Sequence, residues 1–323
     1  MIAAGIAFAV AAGAAALLVR FKARLPFIDH PNQRSSHDVP KPRSGGIAVA
    51  AALAATCFWW GGSARAVAAV AGGFFLLGLL DDYRSTPEAV RLGVQTVLAY
   101  GAVRLGGLRL APVGLPGMPE SLPMDAGLTV FWIVGFVNVF NFMDGIDGFA
   151  LGKAVLGGLA VAWLGGPAYL TAAAAAAAGL LVFNFPPAKI FMGDSGSYLL
   201  GFLLAAGCAR RGPGIPLIAC VMPLGSFLFD ASITLARRIR AGETWYKAHR
   251  SHFYQRAATL SGGHRAVTLC DYALTLMGAA FGWLYMAQAS ALLRWTTAAA
   301  WAALHLAVAL GVHWAEKRRQ RAA

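Results

Sequence analysis

Fourteen of the 323 residues are acidic, and five of them fall into three short clusters. Asp81 and Asp82 close the run L-L-G-L-L-D-D-Y. Asn138, Asn141, Asp144 and Asp147 recur every third position in N-V-F-N-F-M-D-G-I-D-G, and Asp194 lies in P-P-A-K-I-F-M-G-D-S-G-S. Each cluster follows an apolar stretch. Carboxylates gathered at one depth repel one another unless a cation stands among them. Carboxylate and amide oxygens are hard ligands, suited to Mg²⁺ or Mn²⁺ rather than zinc. On a continuous helix a spacing of three lays Asn138, Asn141, Asp144 and Asp147 along one slanting ridge. Gly145 and Gly148 would let the helix end unwind and a ligand approach the backbone. Gly193 and Gly196 flank Asp194 similarly, and Ser195 and Ser197 offer hydroxyl and N–H donors to a phosphate. A single Asp-Gly pair would read as a helix cap; three clusters read as a site.

Basic segments supply the complementary charge. W-Y-K-A-H-R-S-H-F-Y-Q-R places His249, Arg250, His252 and Arg256 within eight residues. His249 and His252 at i, i+3 could hold a metal, but the arginines argue for an anion, because guanidinium groups fork onto phosphate. K-P-R-S-G-G offers Lys41 and Arg43 beside a backbone kept bare by Gly45 and Gly46. Aspartates for a metal and Arg and His for phosphates, at a membrane surface, point to phosphoryl transfer with one lipid reactant.

The elements that carry these residues are membrane helices. The chain is 58% hydrophobic and 13% charged, against roughly 25% charged in soluble domains. Apolar runs predict helices near 1–19, 45–61, 64–80, 89–106, 127–142, 148–164, 168–184, 196–209, 215–236, 266–288 and 292–314. The expected fold is therefore all-α: one integral-membrane domain over 1–323, a polytopic bundle of about eleven spans (ten to eleven). Arg20, Lys22 and Arg24 follow the first apolar run, the reverse of a cleaved secretory signal, so that helix is expected to be retained. Placing the C-terminus in the cytoplasm and the N-terminus in the periplasm puts 21 of the 27 Lys and Arg residues inside, as the positive-inside rule requires. The net charge of +13 is then mostly orientation charge, and nucleic acid is not an expected partner. All three aspartate clusters emerge on the cytoplasmic side in that topology, which the count of basic residues did not impose. An aspartate at a span's centre costs roughly 2.5–3.5 kcal/mol, and such residues usually mark function. Cys57, Cys208, Cys220 and Cys270 lie in apolar runs without C-x-x-C spacing, so neither a disulfide framework nor a zinc site is signalled.

D-D, then N-x-x-N-x-x-D-G-x-D-G, then F-M-G-D-S-G, in this order over 26–260, resembles the polyprenyl-phosphate N-acetylhexosamine-1-phosphate transferase family (glycosyltransferase family 4). The resemblance implies transfer of an N-acetylhexosamine-1-phosphate from a UDP-sugar to undecaprenyl phosphate with Mg²⁺ (or Mn²⁺), releasing UMP. It implies Asp81 and Asp82 at the lipid phosphate, and Asn141, Asp144 and Asp194 at or beside the metal, with Asp144 also a candidate for catalysis. Lys41, Asp147 and Asn184 would hold the uridine end, and His249, Arg250 and His252 the diphosphate. The peptidoglycan branch, phospho-N-acetylmuramoyl-pentapeptide transferase, carries three consecutive histidines where this chain has H-R-S-H, and a lysine where it has Ser85. H-R-S-H-F-Y-Q looks closer to the O-antigen-initiating branch of lipopolysaccharide synthesis, whose donors are N-acetylglucosamine or 6-deoxy relatives. Expected partners are the lipid bilayer of a bacterial inner membrane, undecaprenyl phosphate, a UDP-N-acetylhexosamine and, as a candidate, a second copy in a homodimer. The alternatives are the peptidoglycan enzyme itself and an ion-coupled transporter, which would instead place carboxylates near the midplane or in repeated halves.

Overall fold

A computed structural model of the chain describes residues 1–22, 28, 29, 40–119, 121, 124–243 and 250–322. Thirteen α-helices are seen among the described residues: α1 (Ile2–Arg20), α2 (Gly45–Thr56), α3 (Ala64–Tyr83), α4 (Glu88–Gly106), α5 (Asp125–Phe142), α6 (Phe149–Trp163), α7 (Tyr169–Asn184), α8 (Gly193–Ala209), α9 (Leu217–Val221), α10 (Gly225–Arg240), α11 (Phe253–Ser261), α12 (His264–Ala287) and α13 (Ala291–Ala322). Among the described residues the only strand structure is a two-residue ribbon, in which β1 (Ile28–Asp29) pairs antiparallel with β2 (Lys41–Pro42).

Each of the eleven predicted apolar runs carries helix. Six helical segments are long and apolar enough to cross a membrane: α1, α3, α5, the Leu217–Arg240 run, α12 and α13. Gly45–Trp59, α6 and α7 are shorter apolar helices. The protein is thus a polytopic membrane bundle, though helix length alone does not establish eleven crossings. The predicted span 215–236 is interrupted: α9 gives way to a 3-10 turn over Met222–Leu224 before α10 begins. Pro223 lacks the N–H that an uninterrupted α-helix would need there. Beyond it α10 is amphipathic and ends in Arg237, Arg238 and Arg240. A further short helix, α11, has only Tyr254 and Ala258 buried and stops at Gly262 in the left-handed conformation.

Helix α8 is the centre of the bundle. Every residue from Gly193 to Ala209 is buried except Asp194, as expected of a helix that is apolar on all faces. It packs against α3, α5 and α2, with Phe74 of α3 stacked on Phe202 at 4.6 Å. Small residues set the approach: a Cβ on Gly78 of α3 would collide with the Asp194 carbonyl and Ser195 Cα. Elsewhere the alanines of α1 (Ala7, Ala11, Ala15) are buried in its contact with α7 and α2. Such close helix contacts are what membrane bundles use in place of a hydrophobic drive between helices.

Candidate active site

The carboxylates converge because three chain reversals meet at the α8 N-terminus. The chain from Pro42 to Gly46 pairs with 191–192: Phe191 N–H donates to Pro42 O (2.8 Å), Gly45 N–H to Phe191 O (2.9 Å) and Gly46 N–H to Met192 O (2.7 Å). This lays Arg43 across the start of α8. Gly193 turns the chain into the helix with φ +76°, and a Cβ there would press on the Asp82 carboxylate. Asp82, with a fully buried side chain, accepts the N–H groups of Asp194 (2.8 Å) and Ser195 (2.9 Å). It thereby satisfies two of the unpaired donors that begin a helix and complements the positive end of its dipole. Arg43 spans both acids, with Nε 3.1 Å from Asp82 and Nη2 2.8 Å from Asp194.

Asp81 is held separately. It accepts Thr86 N–H (2.7 Å), Thr86 Oγ1–H (2.6 Å), Arg91 (3.0 Å) and the Tyr198 hydroxyl (3.0 Å). Four donors on one carboxylate fix its orientation.

The predicted ridge of four residues does not form as a continuous helix. Helix α5 stops at Phe142, so Asn141 lies in its last turn while Asp144 and Asp147 stand in the turn before α6. Asn138 faces α4 and donates to Gln95 at 2.6 Å. Asn141 Oδ1 accepts the Ser197 hydroxyl at 2.5 Å, which ties α5 to α8. Among the described residues no donor or ion-pair partner reaches the Asp144 carboxylate. Burial pushes it well above the usual carboxylate range; Arg43 opposes this, and Asp194, Asp82 and Asp147 add to it. Asp147 goes the other way. Burial alone would raise it, but the adjoining His264 ring, the Ala188 N–H and the charge of Lys41 outweigh burial and hold it low. Ala188 N–H donates at 2.9 Å, His264 Nδ1 lies 3.5 Å from Oδ1 and Lys41 Nζ 4.0 Å from Oδ2.

Lys41, Asp147, Arg250 and His264 line a cleft of about 1500 Å³ with Arg256, Arg265, Arg319 and the Pro186–Pro187 turn. Most of its charge is positive, which suits a diphosphate. Asn184 is buried with both ends of its amide engaged by backbone: Gly148 N–H donates to it (2.9 Å) and it donates to Ile190 O (2.8 Å). It fixes the walls of the cleft rather than facing it. His252 is likewise buried, 2.9 Å from Asp230, which also accepts the Thr234 hydroxyl (3.2 Å) and the N–H groups of Phe253 (3.0 Å) and Tyr254 (2.9 Å) at the start of α11. Tyr254 in turn stacks on Phe149 at 4.7 Å and donates to Phe142 O at 2.9 Å. Through Asp230 and Tyr254, His252 is thus tied to the end of α5. His249 lies outside the described residues.

Sequence reasoning missed several of these partners. Arg91, Thr86 and Tyr198 on Asp81, Asp230 under His252, and His264 on Asp147 carry no motif of their own. The one usable signal was His264 itself, directly after the Gly262–Gly263 break.

Asn141, Asp144 and Asp194 offer two carboxylates and an amide. Among the described residues no three His, Cys, Asp or Glu side chains stand together as a metal cage. That set fits Mg²⁺, which keeps several waters and takes one or two carboxylates plus substrate phosphates. The unpartnered Asp144 carboxylate is the observation in favour.

Comparisons with known proteins identify the family. Residues 64–210 match the model of glycosyl transferase family 4. Over 274 residues the chain is 30% identical to the "Probable undecaprenyl-phosphate N-acetylglucosaminyl 1-phosphate transferase" of Bacillus subtilis (strain 168), covering 79% of this chain and 76% of that one. It is 28% identical to the decaprenyl-phosphate N-acetylglucosaminephosphotransferase of Mycobacterium tuberculosis (strain H37Rv) over 77% of this chain and 73% of the relative. It is 36% identical to the phospho-N-acetylmuramoyl-pentapeptide-transferase of Oceanobacillus iheyensis, over 41% of this chain and 47% of the relative. The chain is a membrane-embedded transferase, and it belongs to the polyprenyl-phosphate N-acetylhexosamine-1-phosphate transferase family.

Proposed function

We propose that this protein transfers N-acetylglucosamine-1-phosphate, or a 6-deoxy relative, from the UDP-sugar to undecaprenyl phosphate, releasing UMP and starting a cell-envelope polysaccharide such as O-antigen. One observation carries the reading: the carboxylates of α3, the α5–α6 turn and α8 meet beside a basic cleft large enough for a nucleotide sugar. The names of the two relatives aligned over most of the chain, both N-acetylglucosamine-phosphate transferases, support that sugar over the muramoyl-pentapeptide.

The basic cleft would take the donor, with Lys41, Asp147, Arg250 and His264 among its lining residues. Asn141, Asp144 and Asp194 would hold Mg²⁺ or Mn²⁺, which when bound offsets the charge of the diphosphate. A phosphate monoester has its second pKa near 6, so at neutral pH the lipid acceptor is mostly a dianion and needs little help from a base. What it needs is alignment and charge cancellation. Asp81, bound by four donors, is a positioning residue that fixes Arg91, Thr86 and Tyr198 around it, and Asp82 holds the α8 N-terminus in register. The reading therefore has the lipid phosphate attack the donor phosphorus directly. Loops 20–44, 81–91 and 237–265 would face the cytoplasm, with the N-terminus outside.

Purified protein incubated with undecaprenyl phosphate, Mg²⁺ and a panel of UDP-sugars tests this by UMP release. UDP-N-acetylglucosamine should be turned over fastest. Preference for UDP-N-acetylmuramoyl-pentapeptide would move the protein to the peptidoglycan branch.

A further inference from the structure

The sequence offers Arg43 with Lys41 as a basic pair for phosphate, yet in the structure Arg43 is paired with two of the acids. Its side chain is 38% exposed, while Asp82 is 0% and Asp194 15% exposed. The pairing is a fork: Nε serves Asp82 at 3.1 Å and Nη2 serves Asp194 at 2.8 Å. The two acids differ in what else holds them. Asp82 has two backbone N–H donors besides Arg43, so its place is fixed. Asp194 has Arg43 as the ion-pair partner of its carboxylate among the described residues. Asp194 also stands in the first turn of α8, its carboxylate paired with the Arg43 side chain at 2.8 Å.

We propose that Arg43 is an internal counter-ion that exchanges with the divalent cation at Asp194: metal binding takes over the carboxylate, and the released guanidinium arm faces the incoming phosphate. This rests on the transferase reading for what the phosphate is, but the exchange itself concerns only Arg43, Asp194 and the metal. Before exchange the guanidinium balances the acid cluster and so keeps it aligned. During exchange the site trades one cation for another and never holds Asp82, Asp144 and Asp194 unbalanced. The guanidinium suits the second role because its planar fork recognises phosphate and carboxylate alike.

The consequence is a competition. Removing the guanidinium takes away a positive charge that metal must overcome and leaves Asp194 free. Mn²⁺ binding to detergent-solubilised protein, read by electron paramagnetic resonance without lipid or nucleotide, measures it directly. Arg43→Met should bind Mn²⁺ about tenfold more tightly than wild type or better, which requires roughly 1.4 kcal/mol. Metal-free Arg43→Met should melt lower than wild type, with Mn²⁺ closing the gap, since a ligand stabilises the state it binds. Arg43→Lys keeps a charge that cannot span both acids, so its affinity should fall between the two. Asp194→Asn should lose the binding. Affinity in both Arg43 variants equal to or weaker than wild type overturns the proposal, as does a melting loss in Arg43→Met that Mn²⁺ does not recover. Because no substrate is present, these outcomes stand apart from the transferase reading. That reading fails separately, if Mn²⁺ competition is seen but no UDP-sugar yields UMP.

Discussion

Asp82 closes the N-terminus of the helix that carries Asp194: its carboxylate accepts Asp194 N–H at 2.8 Å and Ser195 N–H at 2.9 Å. The two aspartates therefore do different work, although in the sequence both are acids that follow apolar runs. Asp82→Ala removes both the acceptor for these two N–H groups and the anion at the dipole. Loss of a capping group typically costs about 0.5–2 kcal/mol. Thermal unfolding in detergent should show that loss together with a fall in UMP release, because α8 and Asp194 move together.

Asp144 should behave oppositely. It is a carboxylate without a donor among the described residues, held above its normal range by burial and then by the neighbouring acids. A carboxyl raised in the folded state contributes stability that is present below the unfolded value and lost as pH rises through the folded one. Metal-free wild type should thus lose stability relative to Asp144→Asn as pH climbs from about 4 toward neutrality. Asp144→Asn should melt no lower than wild type at neutral pH and yet be nearly inactive. A lower melting point with activity retained would contradict the assignment of Asp144 to the metal. Melting curves of both proteins across pH in chelator make the comparison.

Asp230 gives a third test. It holds His252 and the first two N–H groups of α11, so Asp230→Ala strands buried donors at a cost of about 1–3 kcal/mol. The geometry predicts that the variant raises KM for the UDP-sugar more than KM for the lipid, since α11 borders the basic cleft. Steady-state kinetics varying each substrate in turn would check it.

The bundle also contains an ion pair away from the site. Lys153 of α6, fully buried, lies 3.3 Å from Asp271 of α12 and donates to Ser226 at 2.8 Å, while Ser226 donates to Asp271 at 2.5 Å. Breaking such a pair from one side typically costs about 3–5 kcal/mol, whereas apolar replacement of both is often neutral. Lys153→Met should destabilise the protein strongly, and Lys153→Met with Asp271→Leu should recover most of the loss. Equal melting of the single and double variants would show that the pair is not coupled.

Much of this was legible in the residues. Apolar runs located helix throughout, because a membrane span is long and compositionally plain. The three aspartate clusters fell at helix ends, where the structure brings them together. What the sequence could not show was pairing across distance. Asp82 and Asp194 are 112 positions apart, and nothing in either motif says that one caps the helix of the other. Spacing by three suggested a helical ridge through Asp147, but α5 ends at Phe142 and the following turn re-aims Asp144 and Asp147. Asn184 and His252 carry donor and acceptor groups that suit a ligand, yet burial commits them to Gly148 and Ile190, and to Asp230. A polar side chain's type gives its capacity for hydrogen bonds; only the fold says where they go.

The central claim is that the phosphate travels with the sugar. A UDP-N-acetylglucosamine labelled in its β-phosphate, supplied with undecaprenyl phosphate and Mg²⁺, decides it in one chromatogram. The account predicts the label in the lipid fraction as a diphospho-sugar, with unlabelled UMP in the aqueous phase. Label recovered as UDP, with only the sugar on the lipid, would contradict it.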